Sequence, residues 1–297
     1  MAATRKIARM PLDATPAPLS PRLGRAKVPH VSAVRACRVG DMDALTPTIV
    51  RVTLVGEELE GFTSLGPTDH VKLRIPVLAS REAERASSAG AIVAAPVDSA
   101  VRDYTPRAYR PRGSSGLPEL DIDIALHGTD GPVSAWAGHA RAGDPVTVAG
   151  PRSSKLVPSD ASSFLLGCDE SGLPAVARWL ELVHPDLPVT VLADVVDSSV
   201  QGYPLARRAS VSVRWLPRGV ATHESSPQLE RAVRDYGPLP DGCFAWFGGE
   251  AGALVGVRRY LRRELGLGAD RVEVSGYWRL GSAGYDHHAP LDASDPE

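Results

Sequence analysis

Two short segments and the run between them carry most of the structural information in this sequence. Residues 102–107 read Arg-Asp-Tyr-Thr-Pro-Arg, residues 120–126 read Leu-Asp-Ile-Asp-Ile-Ala-Leu, and residues 127–137 read His-Gly-Thr-Asp-Gly-Pro-Val-Ser-Ala-Trp-Ala. The middle run alternates apolar and polar residues, which predicts a β-strand with one buried face. The glycines of the third segment, followed by Ser-Ala-Trp-Ala, predict a turn that leads into a helix.

Further short β-runs surround these segments and predict a small antiparallel barrel. Turn residues separate these runs, which lie at residues 50–55, 70–75 and 145–149. Several short strands at such spacing are typical of all-β barrels. Residues 79–99 are rich in Ala, Ser and charge, so we expect a loop insertion there. The barrel domain is predicted to span residues 30–156, after an N-terminal arm, residues 1–29, that we expect to be flexible.

After residue 156 the pattern changes to strands that alternate with helices. Apolar runs predict strands at residues 164–167, 189–193, 211–215, 244–247 and 271–275. Apolar residues at helical spacing predict helices at residues 173–183 and 254–265. The expected fold class is therefore an all-β antiparallel barrel followed by an α/β domain with a parallel, nucleotide-binding-type sheet. The second domain is predicted to span residues 157–281, and residues 282–297 form a C-terminal tail.

The composition limits the classes of function. The chain has 297 residues, 43% of them hydrophobic and 23% charged, and a formal net charge of −2. These values are typical of a globular protein with two cores, and they give no reason to expect nucleic acid as a partner. No run reaches the roughly 18 apolar residues of a membrane span, and the N-terminus lacks a signal-peptide core. We therefore expect a cytoplasmic protein without a membrane partner.

Cysteine and histidine positions argue against a metal centre. Cys37, Cys168 and Cys243 are widely separated and form no Cys-x-x-Cys pair, which argues against a disulfide framework, a zinc ribbon or an iron–sulfur cluster. Any electrons that the protein handles therefore need an organic carrier. His287 and His288 are interpreted as part of a solvated tail, with metal capture as the alternative. No resident metal is predicted.

The 102–107 segment has the chemistry of a flavin adenine dinucleotide site. A flavin ring needs an aromatic cover, which Tyr104 can supply, and a hydrogen bond at its N5 edge, which Thr105 can supply. The two residues are accordingly the candidates closest to the redox chemistry. The pyrophosphate needs cationic groups with several hydrogen-bond donors, and the guanidinium groups of Arg102 and Arg107 are the candidates for that contact.

The 127–137 segment is the second half of this predicted site. The turn from Gly128 to Ser134, which includes Gly131, is expected to direct backbone N–H groups and the positive end of a helix that contains Trp136 at the pyrophosphate. His127 lies next to the turn, where it either contacts the flavin or packs and caps the strand end. The alternative interpretation is that this segment is an ordinary turn followed by a helix, without a role in cofactor binding.

The carboxyl edge of the predicted parallel sheet is the usual place for a nucleotide. Two glycine-containing turns, at residues 167–174 and 248–251, occupy that edge. The candidate nucleotide-binding residues are Asp169, Glu170, Ser171, Gly172, Gly249 and Glu250. The acidic side chains oppose phosphate binding, so helix capping by Asp169 or Ser171 is the alternative.

Taken in order, these segments resemble the siderophore-interacting proteins, the ferric-siderophore reductases related to ferredoxin–NADP reductases. The matching pieces lie at residues 69–73, 102–107, 123–128, 131–137, 150–152, 167–174, 249–251 and 276–279. The resemblance implies FAD held by the barrel, with Asp123 among the cofactor-binding residues. It also implies NADPH or NADH, or a reduced ferredoxin, as electron donor and a ferric siderophore as acceptor.

The same resemblance implies a basic site for an anionic chelate. The matched candidates are Lys72, Arg152 and Arg279. The aromatic residues Tyr277 and Trp278 are candidates for shielding the flavin or receiving the siderophore, with packing in the core as the alternative. Each basic residue has a structural alternative: Lys72 as a solvent-facing strand residue, Arg152 at the domain linker or an FAD phosphate, and Arg279 in an ion pair. The expected activity is reduction of the Fe(III) chelate to Fe(II).

Two other functions remain open at this stage. One is a stand-alone flavin reductase component with another electron acceptor. The other is a non-catalytic protein that binds a ferric chelate. This function is compatible with Asp169 and Glu170, whose negative charges would disfavour a nucleotide at the edge of the parallel sheet. A purified protein without flavin colour would exclude both flavin enzymes.

Overall fold

The computed structural model describes residues 23–76, 99–126, 131–219, 227–282 and 284–295. Its first half is built from antiparallel strands and one short helix. In chain order these elements are β1 (Lys27–Pro29), β2 (Val34–Thr46), β3 (Ile49–Val55), β4 (Val71–Pro76), β5 (Ser99–Tyr104), β6 (Pro106–Arg110), β7 (Glu119–Ala125), α1 (Pro132–Ala137), β8 (Pro145–Ala149) and β9 (Ser153–Lys155).

Seven of these strands form the predicted barrel. They hydrogen-bond in the order β5-β4-β8-β2-β3-β7-β6. The outer strands β5 and β6 follow each other in the chain with only Thr105 between them, so the sheet must curve until its two edges approach. Thr105 therefore lies at the corner where the barrel closes.

Strand β4 shows why these residues form a barrel wall. Val71, Leu73 and Ile75 are buried, whereas Lys72 and Arg74 between them are exposed. This period of two places the apolar side chains in the barrel core and the basic side chains in solvent. The Lys72 side chain therefore lies on the outer face of the barrel, where a ligand in solvent can reach it.

The second half is the predicted α/β domain. Its elements are β10 (Ser163–Cys168), α2 (Leu173–Leu182), β11 (Val189–Val195), β12 (Val211–Pro217), α3 (Gln228–Tyr236), β13 (Cys243–Glu250), α4 (Ala251–Arg259) and β14 (Val272–Trp278). The strands are parallel and lie in the order β12-β11-β10-β13-β14. The strand order reverses between β10 and β13, and the crevice at that switch point is where open parallel sheets bind ligands.

Several polar contacts join the two halves. The Arg178 guanidinium of α2 donates to the carbonyl oxygens of Ser64 and Gly66, at 3.0 Å each. The Tyr203 hydroxyl donates to Asp123 of β7 at 2.6 Å. Because these groups are buried or partly buried and satisfied by partners from the other half, they fix how the barrel faces the parallel sheet.

Both ends of the described chain pack onto the protein. Part of the predicted flexible arm is β1, which pairs with β9, and Leu23 is buried; residues 1–22 lie outside the described residues. In the tail, Leu291 is buried and Asp295 pairs with Arg258 at 3.0 Å. Of the predicted insertion at 79–99, only Ser99 is described, as the first residue of β5. Across the described ranges, the helices are too short or too polar to cross a membrane.

Candidate functional site

Strand β5 carries the first group of predicted cofactor residues. Arg102 is partly exposed; its Nη1 donates to the Val101 carbonyl at 2.8 Å, and within the described ranges it forms no ion pair. Tyr104 is partly buried and packs against the barrel core, and burial raises the pKa of its hydroxyl, so the phenol stays neutral. Thr105 is buried at the barrel corner. The end of β5 and the residue after it thus present a guanidinium group, an aromatic ring and a hydroxyl in succession.

Helix α1 brings the second segment beside the first. It begins after Gly131 and contacts both β5 and β7. Ser134 donates from Oγ to the Ala125 carbonyl at 3.4 Å, and Trp136 is buried in the barrel core. His127 and Gly128 lie outside the described residues. The predicted proximity of the two segments is therefore present, although Trp136 packs inside the barrel.

This set of groups fits a flavin dinucleotide. Arg102 keeps guanidinium nitrogens without a partner among the described residues, which suits a pyrophosphate. The start of α1 lies beside the strand, and its Val133 backbone N–H has no acceptor within the helix. Tyr104, the last residue of β5, and Thr105, which directly follows it, offer the ring cover and the edge hydrogen bond. The donor chemistry of the strand and the helix start therefore matches the cofactor.

Two predicted cofactor residues have other roles in the structure. Arg107 forms a bidentate ion pair with Glu181 of α2, at 3.0 and 2.6 Å, so its fork joins the domains and is not free for phosphate. Asp123 is buried and accepts from Arg51 at 2.7 and 2.8 Å and from Tyr203. Both residues were predicted from their place in a motif. Their partners assign them to the structural framework.

Tyr277 brings the end of the chain to the barrel corner. Its hydroxyl lies within hydrogen-bonding reach of Thr105, and its ring packs 6.3 Å from that of Trp246. Burial raises the pKa of this hydroxyl, so it stays protonated, although its hydrogen bond with the Thr105 side chain acts in the opposite direction. The 102–107 and 276–279 segments, distant in sequence, therefore meet at one point. A place for Tyr277 beside the predicted flavin was one interpretation of the sequence, but its approach to Thr105 was not predicted.

The carboxyl edge of the parallel sheet is occupied by internal hydrogen bonds. Asp169 accepts from the backbone N–H of Ser171 and Glu250, at 2.8 Å each, and from Trp278 Nε1 at 2.9 Å. Glu250 accepts from Ala253 N at 2.6 Å, which caps α4. The capping alternative therefore holds for Asp169, and the same role extends to Glu250.

The glycines of this edge are required by packing between the two turns. A Cβ on Gly172 would lie 2.6 Å from the carbonyl oxygen of Gly248, and a Cβ on Gly249 would lie 2.8 Å from the Asp169 carboxylate. Either distance is a severe overlap. Close approach of the two turns accounts for these glycines without a ligand.

A buried charge cluster lies next to the same edge. Arg218 donates to both oxygens of Glu170 at 2.9 Å and to Asp194 Oδ1 at 3.3 Å, and the three side chains are at most 6% exposed. Burial raises the pKa of Asp194 to about 7, against the opposing effect of Arg218. The Glu170 carboxylate thus receives the two short hydrogen bonds of Arg218 Nη2, whereas the Asp194 carboxylate has one longer contact and the Asp194 carbonyl accepts from Arg218 Nη1 at 2.7 Å.

The predicted basic residues differ in how far they are paired. Lys72 Nζ lies 3.1 Å from Asp103, and the pair is partly exposed. Arg152 is exposed and, among the described residues, forms no ion pair. Arg279 donates to the Leu291 carbonyl at 2.8 Å and lies over the Tyr285 ring, so the tail holds it.

Comparison with known proteins shows the family. A family model described as siderophore-interacting FAD-binding domain matches residues 38–155, and one described as siderophore-interacting protein matches residues 161–281. The chain is 35% identical over 234 residues to the Escherichia coli protein named NADPH-dependent ferric-chelate reductase, covering 77% of this chain and 86% of that relative. It is 28% identical to the ferric vibriobactin reductase ViuB of Vibrio cholerae, covering 82% and 89%.

Solved structures agree with these matches. A siderophore utilization protein from T. fusca, 32% identical in sequence, superposes with a TM-score of 0.76, and the alignment covers 89% of this chain and all of that one (100%). The similarity extends over both domains, so it concerns the whole architecture and not one half. This chain therefore belongs to the siderophore-interacting protein family.

Proposed function

We propose that this protein is an FAD-dependent ferric-siderophore reductase that uses electrons from NADPH or NADH to convert the Fe(III) chelate to Fe(II). The observation that carries the proposal is the 35% identity to a relative named NADPH-dependent ferric-chelate reductase, together with the FAD-binding family match over the barrel. The residues of β5 and α1 support it, because their donor groups suit that cofactor.

The reaction releases iron because reduction changes what the metal prefers. Fe(III) binds strongly to the hard oxygen ligands of hydroxamates and catecholates, whereas Fe(II) binds such cages weakly and prefers nitrogen-containing ligands. Bound FAD supplies the link between a two-electron donor and a one-electron acceptor, which a nicotinamide alone does not readily supply. No proton transfer by the protein is needed at the iron.

The chain's own residues bind and orient in this scheme. Arg102 and the first turn of α1 hold the pyrophosphate, Tyr104 covers the ring, and Thr105 donates a hydrogen bond at the ring edge. Tyr277 contacts the Thr105 side chain and so limits the orientations of its hydroxyl. This division of roles leaves Thr105 and Tyr104 as the residues in contact with the redox centre.

The acceptor site is proposed to be basic and to include Lys72 and Arg152, with Arg279 and Trp278 at its border. The ion pair of Lys72 with Asp103 is partly exposed and so worth no more than about 1 kcal/mol, which an anionic chelate can replace. We expect Lys72→Ala and Arg152→Ala to raise the apparent KM for an anionic ferric chelate, and added salt to do the same for the wild type. Arg74→Ala, on the same strand, is the matched control. Unchanged KM in both tests would contradict this site.

The electron donor is proposed to be a pyridine nucleotide, with a reduced ferredoxin as the alternative. Stopped-flow reduction with NADH and NADPH under anaerobic conditions compares the donors directly. We also propose a cytoplasmic location, which the free, buried state of Cys37, Cys168 and Cys243 supports.

The activity test uses the purified full-length protein under anaerobic conditions. We expect a yellow protein that NADPH or NADH bleaches and that a ferric hydroxamate or catecholate recolours, while a ferrous-specific chromogenic chelator develops colour. Bleaching without recolouring would indicate a flavin reductase with another acceptor. A colourless protein that binds the ferric chelate would indicate a non-catalytic binding protein.

A further inference from the structure

A group of histidines and carboxylates lies between the tail and the barrel, outside the residues assigned above. The His287 ring packs 4.7 Å from that of His70 and 4.0 Å from that of His288, measured between centroids. One ligand atom from each of Asp286, His287 and His288 lies within 4.8 Å of the others. We call His70, Asp286, His287 and His288 the histidine cluster. Asp286, His287 and His288 would reach a shared ion after small rotations, since two ligands of one ion are up to about 4 Å apart, and His70 is brought to them by its ring contact with His287.

The two ring nitrogens of His287 have different surroundings. Its Nδ1 lies 3.3 Å from Asp103 Oδ2. Its Nε2 is buried and has no hydrogen-bond partner among the described residues. A histidine that ligates a metal commonly donates its other ring N–H to a carboxylate, which fixes the tautomer and directs the free nitrogen at the ion. His287 and Asp103 have this arrangement, and an ion would satisfy the otherwise unpaired Nε2.

The cluster also lies close to the proposed redox site. His70 directly precedes β4, where Val71 pairs with Tyr104 and Lys72 pairs with Asp103. His70 is thus within two residues, along or across the strands, of Tyr104 and of Lys72, and His287 contacts Asp103, the partner of Lys72. Solvent reaches the cluster because His70 and His288 are exposed.

We propose that the histidine cluster is a binding site for a divalent first-row transition-metal ion, with His70, His287 and His288 as nitrogen ligands and Asp286 as an oxygen ligand. The ion that reaches it is Fe(II), the product of the proposed reductase reaction, and this identity of the ion rests on that proposed function. Imidazole suits Fe(II) better than it suits Mg²⁺ or Ca²⁺, which prefer oxygen ligands. The site holds the released ion next to the place where it leaves its chelate.

Metal binding is tested without turnover. Tag-free, oxidised full-length protein is dialysed to equilibrium against Co²⁺, as a stable substitute for Fe(II), with Mg²⁺ in large excess, and bound cobalt is counted per chain. We expect one Co²⁺ per chain in the wild type. His287→Ala and His70→Ala should weaken binding roughly tenfold or more. His184→Ala removes an exposed histidine elsewhere and should leave the affinity unchanged.

A second variant covers loss of the tail contact. His287→Ala also removes the contact of the His287 Nδ1 with Asp103, whereas His288→Gln removes only an exposed ligand. Weaker Co²⁺ binding in His288→Gln with unchanged thermal stability supports the site. No cobalt in the wild type, or equal affinity in all variants, would overturn it and leave His287 as a tail anchor only.

A third measurement separates this inference from the proposed function. Anaerobic dialysis against Fe(II) is compared with reduction of a ferric chelate by the same protein. Cobalt and Fe(II) binding without ferric-chelate reduction would keep the site and contradict the reductase activity. Reduction with no metal bound at the cluster would keep the activity and overturn the site.

Discussion

Strand β5 of the barrel and the carboxyl edge of the parallel sheet both carry polar residues at positions where a nucleotide is expected, but they differ in how those residues are satisfied. On β5, Arg102 has one short contact to its neighbouring carbonyl and no ion pair within the described ranges. At the sheet edge, Asp169 and Glu250 accept several internal hydrogen bonds, and Glu170 is held by Arg218.

This difference indicates which region is built to receive a ligand. A polar side chain without internal partners gains hydrogen bonds when a ligand arrives, whereas one that already caps a helix must lose them. We infer that β5 contributes mainly to binding and that the sheet edge contributes mainly to stability. Substitutions in β5 should therefore affect FAD binding, and substitutions at the sheet edge should affect stability.

The largest effect is expected for Arg102→Ala on the barrel side. Removing the Arg102 guanidinium should leave most of the purified protein without FAD, because the negative charge of the pyrophosphate then lacks its main partner. The measurement is the ratio of flavin to protein absorbance. Arg74→Ala, an exposed arginine on the adjacent strand β4, should retain full FAD. Full occupancy in Arg102→Ala would refute the assigned role.

Arg218→Ala tests the sheet edge. The substitution leaves Glu170 and Asp194 as buried, unpaired carboxylates, and we expect the free energy of unfolding to fall by about 3–5 kcal/mol. Denaturant unfolding followed by tryptophan fluorescence measures it. Arg214→Ala breaks an exposed pair with Asp235 and should change stability by about 0.5 kcal/mol or less. Equal effects of the two substitutions would contradict the structural role.

Asp169→Ala should destabilise the protein while leaving FAD in place. It leaves the Ser171 and Glu250 amides and the Trp278 indole without their acceptor, at a cost of about 2–4 kcal/mol. The exposed Asp160 provides the control Asp160→Ala. A stable variant that no longer reacts with NADPH would instead indicate that Asp169 binds the donor.

The pH dependence of stability should report on Asp194. Burial raises its pKa in the folded protein to about 7, above the ordinary value of 3.8, so the folded state holds this proton more tightly than the unfolded chain does. Its contribution to stability is therefore present below about pH 4 and is lost as the pH rises to about 7.

Asp194→Asn should not show this loss. Between pH 5 and pH 8, the free energy of unfolding of the variant should improve relative to the wild type by about 2 kcal/mol. Unfolding curves at the two pH values measure the change. A constant difference between the two proteins would show that Asp194 is already ionised at pH 5.

Local sequence patterns predicted most of the strands but not all of them. Strands β3, β4, β7 and β8 alternate or form apolar runs, and the helices α2 and α4 show apolar residues at helical spacing. Strand β2 was not predicted, because only Cys37, Val39 and Thr46 of its thirteen residues are buried. A strand with so few buried residues lacks the regular alternation of apolar and polar residues from which a strand is predicted.

The roles of individual polar residues depended on contacts that no local pattern contains. Arg107 and Asp123 lie inside recognisable segments, but their partners Glu181 and Tyr203 are 74 and 80 residues away. Likewise, nothing in the sequence placed His287 against Asp103. Chemistry confined to one strand, such as the succession Arg102, Tyr104 and Thr105, was predictable, and pairing between domains was not.

The flavin content of the wild-type protein tests whether the barrel domain binds FAD. The full-length chain is produced in cells supplied with ample riboflavin, purified without added cofactor, and its FAD is released and quantified against protein. We expect about one FAD per chain, lost in Arg102→Ala and kept in Arg74→Ala. A wild-type protein that carries no flavin and takes up none when FAD is added would contradict this expectation.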